Sequence, residues 1–407
     1  MNILFMTHSP MAVMGGYETL IMRMSDYLIN QGHSTFLICE GVDVRLRAEF
    51  NEALVIQTSN RPFVDLYERA SFKQFYSELE LPQVDFIICI DMLSYVLAGL
   101  LKLTATCSQA RLVLGLFQPD SVRQLKRKSA TALLVRRILK KEAPDTTVVA
   151  MTTRLQAEWN AEFASGVRAE FIPLPVDLEP FRSVKRQPER YKIVSVGRLN
   201  DYKTYNIFMI EIVRRLVDQG LDVTYEIYGE GPFQAKIEEE IKKYKLEGSV
   251  TLKGHLSYEK FPNALSAAYG FVGMGTAAIE AAAAGVPVVY SAPRDMTGVT
   301  HGLLHEFDLT ELGGFAHETN PPLKMYDVLT DLIQLEAARY EEACQKSSAA
   351  MAVYSMEGVM FQYEALFEKP KIGGSNSAFS LWLLCDLIQL VRCGRRWAQK
   401  IKPKHNG

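Results

Sequence analysis

Short runs of β-branched and apolar residues alternate with longer amphipathic segments along this sequence. The alternation is typical of βαβ units, which form parallel sheets, rather than of a sandwich or a helix bundle. In the first half it predicts strands near residues 2–7, 35–40, 54–58, 85–90, 111–117, 147–152 and 170–174. In the second half it predicts strands near residues 192–197, 223–228, 250–253, 270–273 and 286–290. Helices are predicted there near residues 206–219, 233–245, 277–284, 324–350 and 356–368. We therefore predict an α/β fold with two Rossmann-like, doubly wound parallel-sheet domains.

The two series of strands are separated by the stretch IPLPVD at residues 172–177, whose two prolines predict a stiff, extended connector. A chain of 407 residues is long enough for two domains. We expect a first domain over residues 1–175 and a second domain over 176–352. A helix at 353–370 should return to the first domain, and residues 371–407 should form a basic amphipathic tail.

The composition is that of an ordinary globular protein, with 48% apolar and 23% charged residues. A formal net charge of -2 argues against a nucleic-acid partner. The six cysteines are scattered without metal-ligand spacing, the sequence starts without a signal peptide, and no apolar run reaches about 18 residues. We expect a cytoplasmic protein whose contact with a membrane, if any, is peripheral.

A glycine-rich junction between a predicted strand and an alanine-rich helix is the most informative stretch. Gly273 and Gly275 let backbone amides approach a ligand, and the helix that begins near Thr276 adds partial positive charge, which together suit an anion. The alternative is that small residues only allow tight packing of the helix. Glu280 lies one turn into the helix and could accept hydrogen bonds from sugar hydroxyls. The alternative is that its carboxylate only interacts with the helix dipole.

Two cations follow the first strand of the second series, namely Arg198 and Lys203. They could neutralise a diphosphate without a metal, and the sequence has no D-x-D pair to hold one. The alternative is an ordinary solvated loop. Gly15 and Gly16 follow the first strand of the chain and open a helix, which is again suitable for phosphate approach but is a weak signal alone.

Four motifs together resemble the retaining glycosyltransferase family four, which has the GT-B fold. They are GG-x-E at residues 15–18, V-G-R-L at 196–199 followed by a lysine, Y-G-E-G-P at 228–232, and G-x-x-x-x-E-A-x-x-x-G-x-P-V ending at Val288. The resemblance covers about residues 1–368. It implies two domains that face each other across a cleft.

The resemblance also implies roles for individual residues. Arg198 and Lys203 would bind the diphosphate of a nucleotide-diphosphate sugar, and Glu280 would hold its ribose. Three groups of residues would surround the donor. The distal phosphate would lie at Gly275, Thr276 and Ala277, and the nucleoside at Gly229, Gly231, Gly254 and His255. Gly15 and Gly16 would approach the diphosphate from the opposite domain. No cofactor and no metal are expected. Front-face attack with retention is implied, with the leaving phosphate taking the proton of the acceptor.

The sequence departs from this family at two positions. Val272 stands where a glutamate usually contacts the transferred sugar, and Phe117 stands where many members have a histidine near the reacting centre. His8, at the end of the first strand, is a candidate substitute for that histidine, and a structural role is its alternative.

Two basic amphipathic segments, at residues 121–141 and 378–404, could lie on an anionic membrane surface. Alternatively, the first packs its apolar face into the core and the second docks on the protein or on a partner. If both contact a membrane, a lipid-linked acceptor is expected.

We therefore expect a transferase that moves sugar from a nucleotide sugar to a glycan or lipid-linked acceptor in the biosynthesis of a cell-surface polysaccharide or glycolipid. Two alternatives stay open at this point. One is a nucleotide-sugar epimerase of the same fold, and the other is a catalytically silent GT-B module that binds a nucleotide sugar or a partner.

Overall fold

The computed structural model describes residues 1–12, 15–118, 120–126, 129–163, 166–312 and 323–369. The chain divides into two compact units. Unit 1 contains Met1–Ile172 and the described residues from Met360 onward, and unit 2 is Pro173–Val359. Each unit is built on its own seven-stranded sheet. The prediction of two Rossmann-like domains is therefore confirmed.

The sheet of unit 1 is parallel throughout, with the spatial order β3-β2-β1-β4-β5-β6-β7. Its strands are β1 (Asn2–Met6), β2 (Ser34–Cys39), β3 (Val55–Thr58), β4 (Phe86–Cys89), β5 (Arg111–Leu116), β6 (Thr146–Ala150) and β7 (Ala169–Phe171). The central strands are buried on both faces, which explains why they are continuous apolar runs in the sequence. All seven predicted strands are confirmed, with ends shifted by at most about three residues.

The helices of unit 1 are α1 (Gly16–Asn30), α2 (Val44–Arg47), α3 (Arg69–Ser77), α4 (Met92–Leu101), α5 (Ser121–Lys126), α6 (Ala130–Glu142) and α7 (Thr153–Glu162), with 3₁₀ turns at Phe63–Tyr67 and Ala143–Asp145. Side chains cap several of them. Asp91 and Ser94 form a reciprocal capping box at α4, and Thr152 accepts a hydrogen bond from the third residue of α7. These caps fix where the helices begin.

The sheet of unit 2 has the order β10-β9-β8-β11-β12-β13-β14. Its strands are β8 (Lys192–Val196), β9 (Thr224–Tyr228), β10 (Val250–Gly254), β11 (Gly270–Gly273), β12 (Val288–Ser291), β13 (Val299–Leu303) and β14 (Leu323–Lys324). The five predicted strands are confirmed. The sequence reasoning missed β13 and β14, which pair antiparallel at one edge of the sheet.

The longer helices of unit 2 match the prediction, with one difference. They are α8 (Glu179–Arg182), α9 (Tyr205–Asp218), α10 (Gln234–Tyr244), α11 (Phe261–Leu265), α12 (Thr276–Ala283), α13 (Met325–Gln334) and α14 (Ala337–Ala350), with 3₁₀ turns at Tyr258–Lys260, Leu304–Glu306, Leu309–Glu311 and Met351–Tyr354. The helical region expected at 324–350 is broken at Leu335 and Glu336, whose backbones are extended. After the break, Tyr340 of α14 stacks on Tyr269 with a centroid distance of 3.9 Å.

The last helix, α15 (Met356–Glu368), begins within unit 2 and ends within unit 1. Its final turns make several contacts inside unit 1. The ring centroids of Phe367 and Phe86 are 4.4 Å apart, and the Arg111 guanidinium donates to the Lys369 carbonyl oxygen over 2.6 Å. Lys369 also pairs with Glu170 at 2.5 Å. The end of α15 is thus fixed to the sheet of unit 1.

The first of the two basic segments does not present an apolar face to solvent. Leu134, Val135 and Ile138 of α6 are at most 1% exposed, because this face packs into the core of unit 1. The outward face keeps Arg137 and Lys140 exposed. The alternative that this face packs into the core is therefore confirmed, whereas Leu133 on the outward side of α6 is 56% exposed. The second segment, 378–404, lies outside the described residues. No helix within the described part of the chain is long and apolar enough to span a membrane.

Candidate active site

The candidate residues of unit 2 follow strands at the point where the strand order of the sheet reverses. β8 is paired in parallel with β9 on one side and β11 on the other. The carboxyl ends of these strands lie at one edge of the sheet, where ligands of open α/β sheets bind. Residues 197–204 follow β8 and residues 274–275 follow β11. The loop with Arg198 and Lys203 and the start of α12 therefore occupy the ligand position of this fold.

Gly229 and Gly231 allow two loops at this edge to pack backbone against backbone. Their φ angles are +136° and +153°, in a region that other residues rarely adopt. A Cβ at Gly229 would lie 2.0 Å from the carbonyl oxygen of Gly197, and one at Gly231 would lie 2.2 Å from that of Leu199. The Leu199 amide also donates to the Glu230 carbonyl over 2.9 Å. These glycines hold the loop that carries Arg198, while their contact with a nucleoside stays a prediction.

Gly254 ends β10 beside this pair of loops. Its carbonyl oxygen accepts a hydrogen bond of 2.7 Å from the Gly229 amide, and its φ of +70° is left-handed. The next residue, His255, has an exposed side chain. No hydrogen bond or ion pair joins the His255 side chain to any other described residue. The structure thus connects Gly254 to the loops of the site, and His255 follows it in the sequence.

Lys203 is the most strongly perturbed cation of the site. Its ammonium lies over Gly197, where a Cβ would come within 2.1 Å of Nζ. The pKa of Lys203 is lowered to about 8, mainly by burial and also by the nearby Arg198, against the opposing effect of the Glu280 carboxylate. Three charged side chains, two from one loop and one from a helix, are therefore close enough to interact. Arg198 itself is exposed.

The start of α12 presents backbone donors. Gly275, the N-cap, has a φ of +65°, and no atom lies within 4 Å of the position of a Cβ. No described residue accepts a hydrogen bond from the amides of Thr276 and Ala277. The first amides of a helix have no intrahelical partner, so they are available to an anion, together with the positive end of the helix dipole.

The Glu280 carboxylate is held by a side chain outside α12. It is 3% exposed, and the Tyr258 hydroxyl donates to its Oε1 over 3.0 Å. The sequence reasoning missed Tyr258, because it lies 22 residues away on a 3₁₀ turn and no motif includes it. The carboxylate is thus fixed in orientation and lies within electrostatic range of Lys203.

The position that the resemblance assigns to a sugar-contacting glutamate is not polar here. Val272 lies in β11, is 0% exposed, and pairs with Val289 of β12. Its side chain belongs to the hydrophobic core of unit 2. Val272 therefore adds no polar group to the site.

The candidate residues of unit 1 lie at the start of α1. Gly15 is the N-cap with an extended backbone, and a Cβ at Gly16 would have no atom within 4 Å. Neither glycine has a positive φ, and Gly16 has room for a Cβ. Phe117 is 7% exposed, and its ring fills the space where Gly115 would have a Cβ. Phe117 is thus a packed side chain without a polar group.

The unit 2 site combines positive groups with one fixed carboxylate. Arg198, Lys203 and the α12 amides suit an anion with several oxygens, and Glu280 suits hydroxyl groups beside it. In the described part of the chain, no group of three or more His, Cys, Asp or Glu side chains is placed to hold a metal ion. A nucleoside diphosphate has both chemical features, a charged diphosphate and a ribose.

Several solved structures have a similar course of the chain. TarM of S. aureus, solved with UDP and α-GlcNAc-glycerol among its ligands, superposes with a TM-score of 0.62 at 13% identity, covering 90% of this chain and 100% of TarM. HepE of Anabaena, solved with UDP and glucose, gives 0.62 at 18% identity, covering 90% and 99%. Sucrose-phosphate synthase of Thermosynechococcus elongatus gives 0.63 at 17% identity, covering 90% and 98%. The fold is GT-B. Identities this low establish the fold alone.

The matched family model lies within unit 2. Residues 178–300 match the family described as Glycosyl transferases group 1. The putative colanic acid biosynthesis glycosyltransferase WcaL of Escherichia coli K12 is 33% identical over 128 residues, which are 28% of this chain and 31% of WcaL. Its counterpart in Salmonella typhimurium is 31% identical over the same length. The match thus spans about a third of the length of these curated relatives.

Proposed function

We propose that this chain is a retaining glycosyltransferase of family four that transfers a hexose from a nucleotide-diphosphate sugar to a carbohydrate acceptor. The observation that carries the proposal is the convergence of Arg198, Lys203, Glu280 and the amides of α12 where the strand order of the unit 2 sheet reverses. The match of residues 178–300 to Glycosyl transferases group 1 supports it.

In this proposal the cations stabilise the leaving group. As the bond from the anomeric carbon to the diphosphate breaks, negative charge grows on the diphosphate oxygens. Arg198, Lys203 and the amides of Thr276 and Ala277 are donors already in place for that charge, and preorganised donors are the largest source of such stabilisation. Because two side-chain cations are present, we propose that no metal ion is needed. Glu280 accepts hydrogen bonds from the ribose and fixes the donor.

We propose that the acceptor is a lipid-linked or cell-surface polysaccharide intermediate on the cytoplasmic side of a membrane. Support comes from WcaL, whose name assigns it to colanic acid biosynthesis, and from the bases of the segments 121–141 and 378–404. Binding to anionic vesicles should disappear at high salt. Unchanged activity on a lipid-linked acceptor after deletion of residues 373–407 would contradict a role for the tail.

A transfer assay tests the proposed function. The chain is incubated with UDP-glucose, UDP-galactose, UDP-GlcNAc or GDP-mannose and with nitrophenyl glycosides or lipid-linked saccharides as acceptors. We expect release of nucleoside diphosphate that depends on the acceptor, persists with a chelator, and gives a product with the anomeric configuration of the donor. Conversion of the donor sugar without an acceptor would indicate an epimerase instead.

A nucleotide-sugar-binding module without catalysis is a second candidate. The buried Val272 favours it, because the position assigned to a sugar-contacting carboxylate holds an apolar core residue. Tight binding of a nucleotide sugar with no turnover on any acceptor would support this candidate over the transferase.

The pKa of Lys203 predicts how donor binding depends on pH. The ammonium must be charged to hold the diphosphate, and its pKa of about 8 is low enough for the charge to be lost in mild base. We expect the Kd for UDP to be nearly constant from about pH 7 to 8 and then to rise by up to about tenfold per pH unit. Calorimetric titration of the wild type and of Lys203→Ala measures this. An equal slope in both proteins would contradict the role of Lys203.

Glu280→Gln is expected to weaken UDP binding by about 10-fold to 100-fold, since hydrogen bonds to a charged group contribute about 1.5–3 kcal/mol. The wild type should also prefer UDP over 2′-deoxy-UDP, and the variant should lose most of this preference. Tyr258→Phe, which removes the 3.0 Å bond to Glu280 but keeps the carboxylate, should have a smaller effect. Full preference in Glu280→Gln would show that Glu280 does not contact the ribose.

A further inference from the structure

Arg294 is a further basic side chain at the edge of the unit 2 sheet where the candidate site lies. It follows β12 by three residues, and β12 is paired in parallel with β11. Because the carboxyl ends of parallel strands meet at one edge, the loop with Arg294 leaves the sheet at the same edge as the loops after β8 and β11. No sequence motif includes this residue, and the proposed function gives it no role.

Two hydrogen bonds join the loop after β12 to the loop that carries the site cations. The Arg294 amide donates to the Tyr202 carbonyl oxygen over 3.0 Å, and the Thr204 hydroxyl donates to the Asp295 carbonyl oxygen over 2.5 Å. Tyr202 and Thr204 are the residues on either side of Lys203. Since β11 lies between β8 and β12, the two loops meet across the carboxyl end of β11. Arg294 is therefore a neighbour of the donor site.

The turn that carries Arg294 is held by the next residue. The φ of Arg294 is +52°, in the left-handed region that residues with a Cβ rarely adopt. Asp295 is 7% exposed, and its carboxylate accepts from the amides of Thr297 and Val299 over 3.0 and 2.9 Å and from the Thr297 hydroxyl over 2.6 Å. The Asp295 carboxylate thus stabilises its own loop, and the loop holds Arg294 in this conformation.

The Arg294 guanidinium has an aromatic contact and no polar one. Its Cζ lies 5.5 Å from the centroid of the Tyr202 ring, which is a cation–π distance. Of the residues that the structure describes, none accepts a hydrogen bond from this guanidinium or forms an ion pair with it. The side chain is exposed. A planar fork of N–H donors is thus available at the ligand edge of the sheet, and such a fork matches a carboxylate.

The balance of charge indicates which group of a ligand this fork would meet. In the proposed function, the two negative charges of the diphosphate are matched by Arg198, Lys203 and the positive end of α12. Arg294 adds a positive charge in excess of the diphosphate. A neutral sugar has no charge to pair with it, whereas a hexuronic acid carries a carboxylate that a guanidinium binds with two parallel hydrogen bonds.

The strand between the two loops has no charge that opposes such a ligand. Residues 270–279, which form β11 and the first turn of α12, include no aspartate and no glutamate. Val272 is buried in the core of unit 2, and the carboxylate of Glu280 is held by the Tyr258 hydroxyl. An anionic sugar beside the start of α12 would therefore meet positive groups.

We propose that Arg294 binds the carboxylate of a hexuronic acid and thereby selects the transferred sugar; this rests on the proposed function. Arg198 and Lys203 hold the diphosphate, and Arg294 holds the charged group at the other end of the donor. The Tyr202 ring positions the guanidinium for this contact. All charged groups of the donor are then bound by unit 2.

Arg294→Asn and Arg294→Lys test the proposal. Asparagine tolerates a left-handed backbone, so Arg294→Asn removes the charge and keeps the turn. The control is Lys245→Asn, because Lys245 is also exposed with a φ of +55° but precedes β10 at the opposite edge of the sheet. Calorimetric titration measures the Kd values of UDP, UDP-glucose and UDP-glucuronate. If GDP binds the wild type more tightly than UDP, then GDP, GDP-mannose and GDP-mannuronate are used instead.

We expect the wild type to bind the uronate donor about 10-fold to 100-fold more tightly than the neutral donor, which is the usual contribution of a charge-assisted pair. Arg294→Asn should lose most of this preference, while its Kd for the nucleoside diphosphate stays within about twofold. Arg294→Lys should keep part of the preference, because it retains the charge and loses the fork. Lys245→Asn should behave as the wild type.

The outcomes that would overturn this inference differ from the one that would overturn the proposed function. Equal affinity of the wild type for the uronate and neutral donors, or an unchanged preference in Arg294→Asn, would show that Arg294 does not select the sugar. An equal loss of affinity for the nucleoside diphosphate and both donors in Arg294→Asn would place Arg294 at the diphosphate instead. If the wild type binds neither UDP nor GDP nor their sugars, the proposed function fails and this inference fails with it.

Discussion

Replacing both Arg198 and Lys203 with alanine is expected to lower kcat/KM for sugar transfer by about 10⁴-fold. Loss of one preorganised donor typically costs about 10²-fold to 10³-fold in turnover, and the effects of two donors on one leaving group are not additive. The variant should fold, because Arg198 is exposed and because burial, which lowers the pKa of Lys203, makes the charged form of that side chain unfavourable in its place.

The control for this prediction removes the same charge elsewhere in unit 2. Arg190 and Lys242 are exposed and lie outside the loops of the site. The double variant Arg190→Ala, Lys242→Ala should keep turnover within about twofold, because distant surface charges act only through a screened field. Equal losses in both double variants would mean that net charge matters and that the two site cations have no specific role.

Gly229→Ala and Gly231→Ala are expected to destabilise unit 2 by about 3–5 kcal/mol each, from a strained positive φ and from overpacking against backbone. The added Cβ would lie 2.0 and 2.2 Å from carbonyl oxygens of the loop that carries Arg198, and a backbone cannot step aside as a flexible side chain does. Such a loss is a large part of the stability of a domain. Scanning calorimetry of the purified variants measures it.

Two other glycines provide graded controls. Gly254 has a positive φ but open space, so Gly254→Ala should cost about 1–2 kcal/mol from the backbone alone. Gly248 has open space and no positive φ, and Gly248→Ala should be within about 0.5 kcal/mol of the wild type. If Gly229→Ala were as stable as Gly248→Ala, the result would contradict the close approach of Gly229 to the carbonyl oxygen of Gly197.

The central parallel strands, such as β4, β5, β11 and β12, were predictable because they are buried on both faces and therefore are apolar runs. β13 shows where that signal fails. Its buried positions are Thr300 and Gly302, and the Thr300 hydroxyl bonds to the Tyr290 carbonyl over 2.6 Å, so burial there depends on a polar contact and a small residue. β14 has only two residues, Leu323 and Lys324, and both are exposed.

The candidate site was predictable where residues follow strands in sequence, and not where distant residues meet. Arg198, Lys203 and Gly275 stand directly after β8 and β11, so the topology alone brings them to one edge. No local pattern encodes the contact of Tyr258 with Glu280 or the contact of Asp91 with the His8 amide, which span 22 and 83 residues. Their roles became visible only with the side-chain geometry.

Amphipathicity likewise predicted the helix α6 but not the environment of its apolar face. A periodic pattern states that one face is apolar, and it does not state whether that face meets the core or a membrane. In the structure Leu134, Val135 and Ile138 meet the core of unit 1. The bases on the other face are compatible with either environment, because they remain in contact with water in both.

Calorimetric titration with UDP and UMP, in the wild type and in the Arg198→Ala, Lys203→Ala variant, tests the central claim most directly. If unit 2 binds a nucleoside diphosphate through these cations, UDP binds the wild type at one site at least about tenfold more tightly than UMP, since one further charge-assisted contact contributes about 1.5–3 kcal/mol. The variant should lose this difference. Equal affinity for UDP and UMP in the wild type, or an unchanged preference in the variant, would contradict the claim.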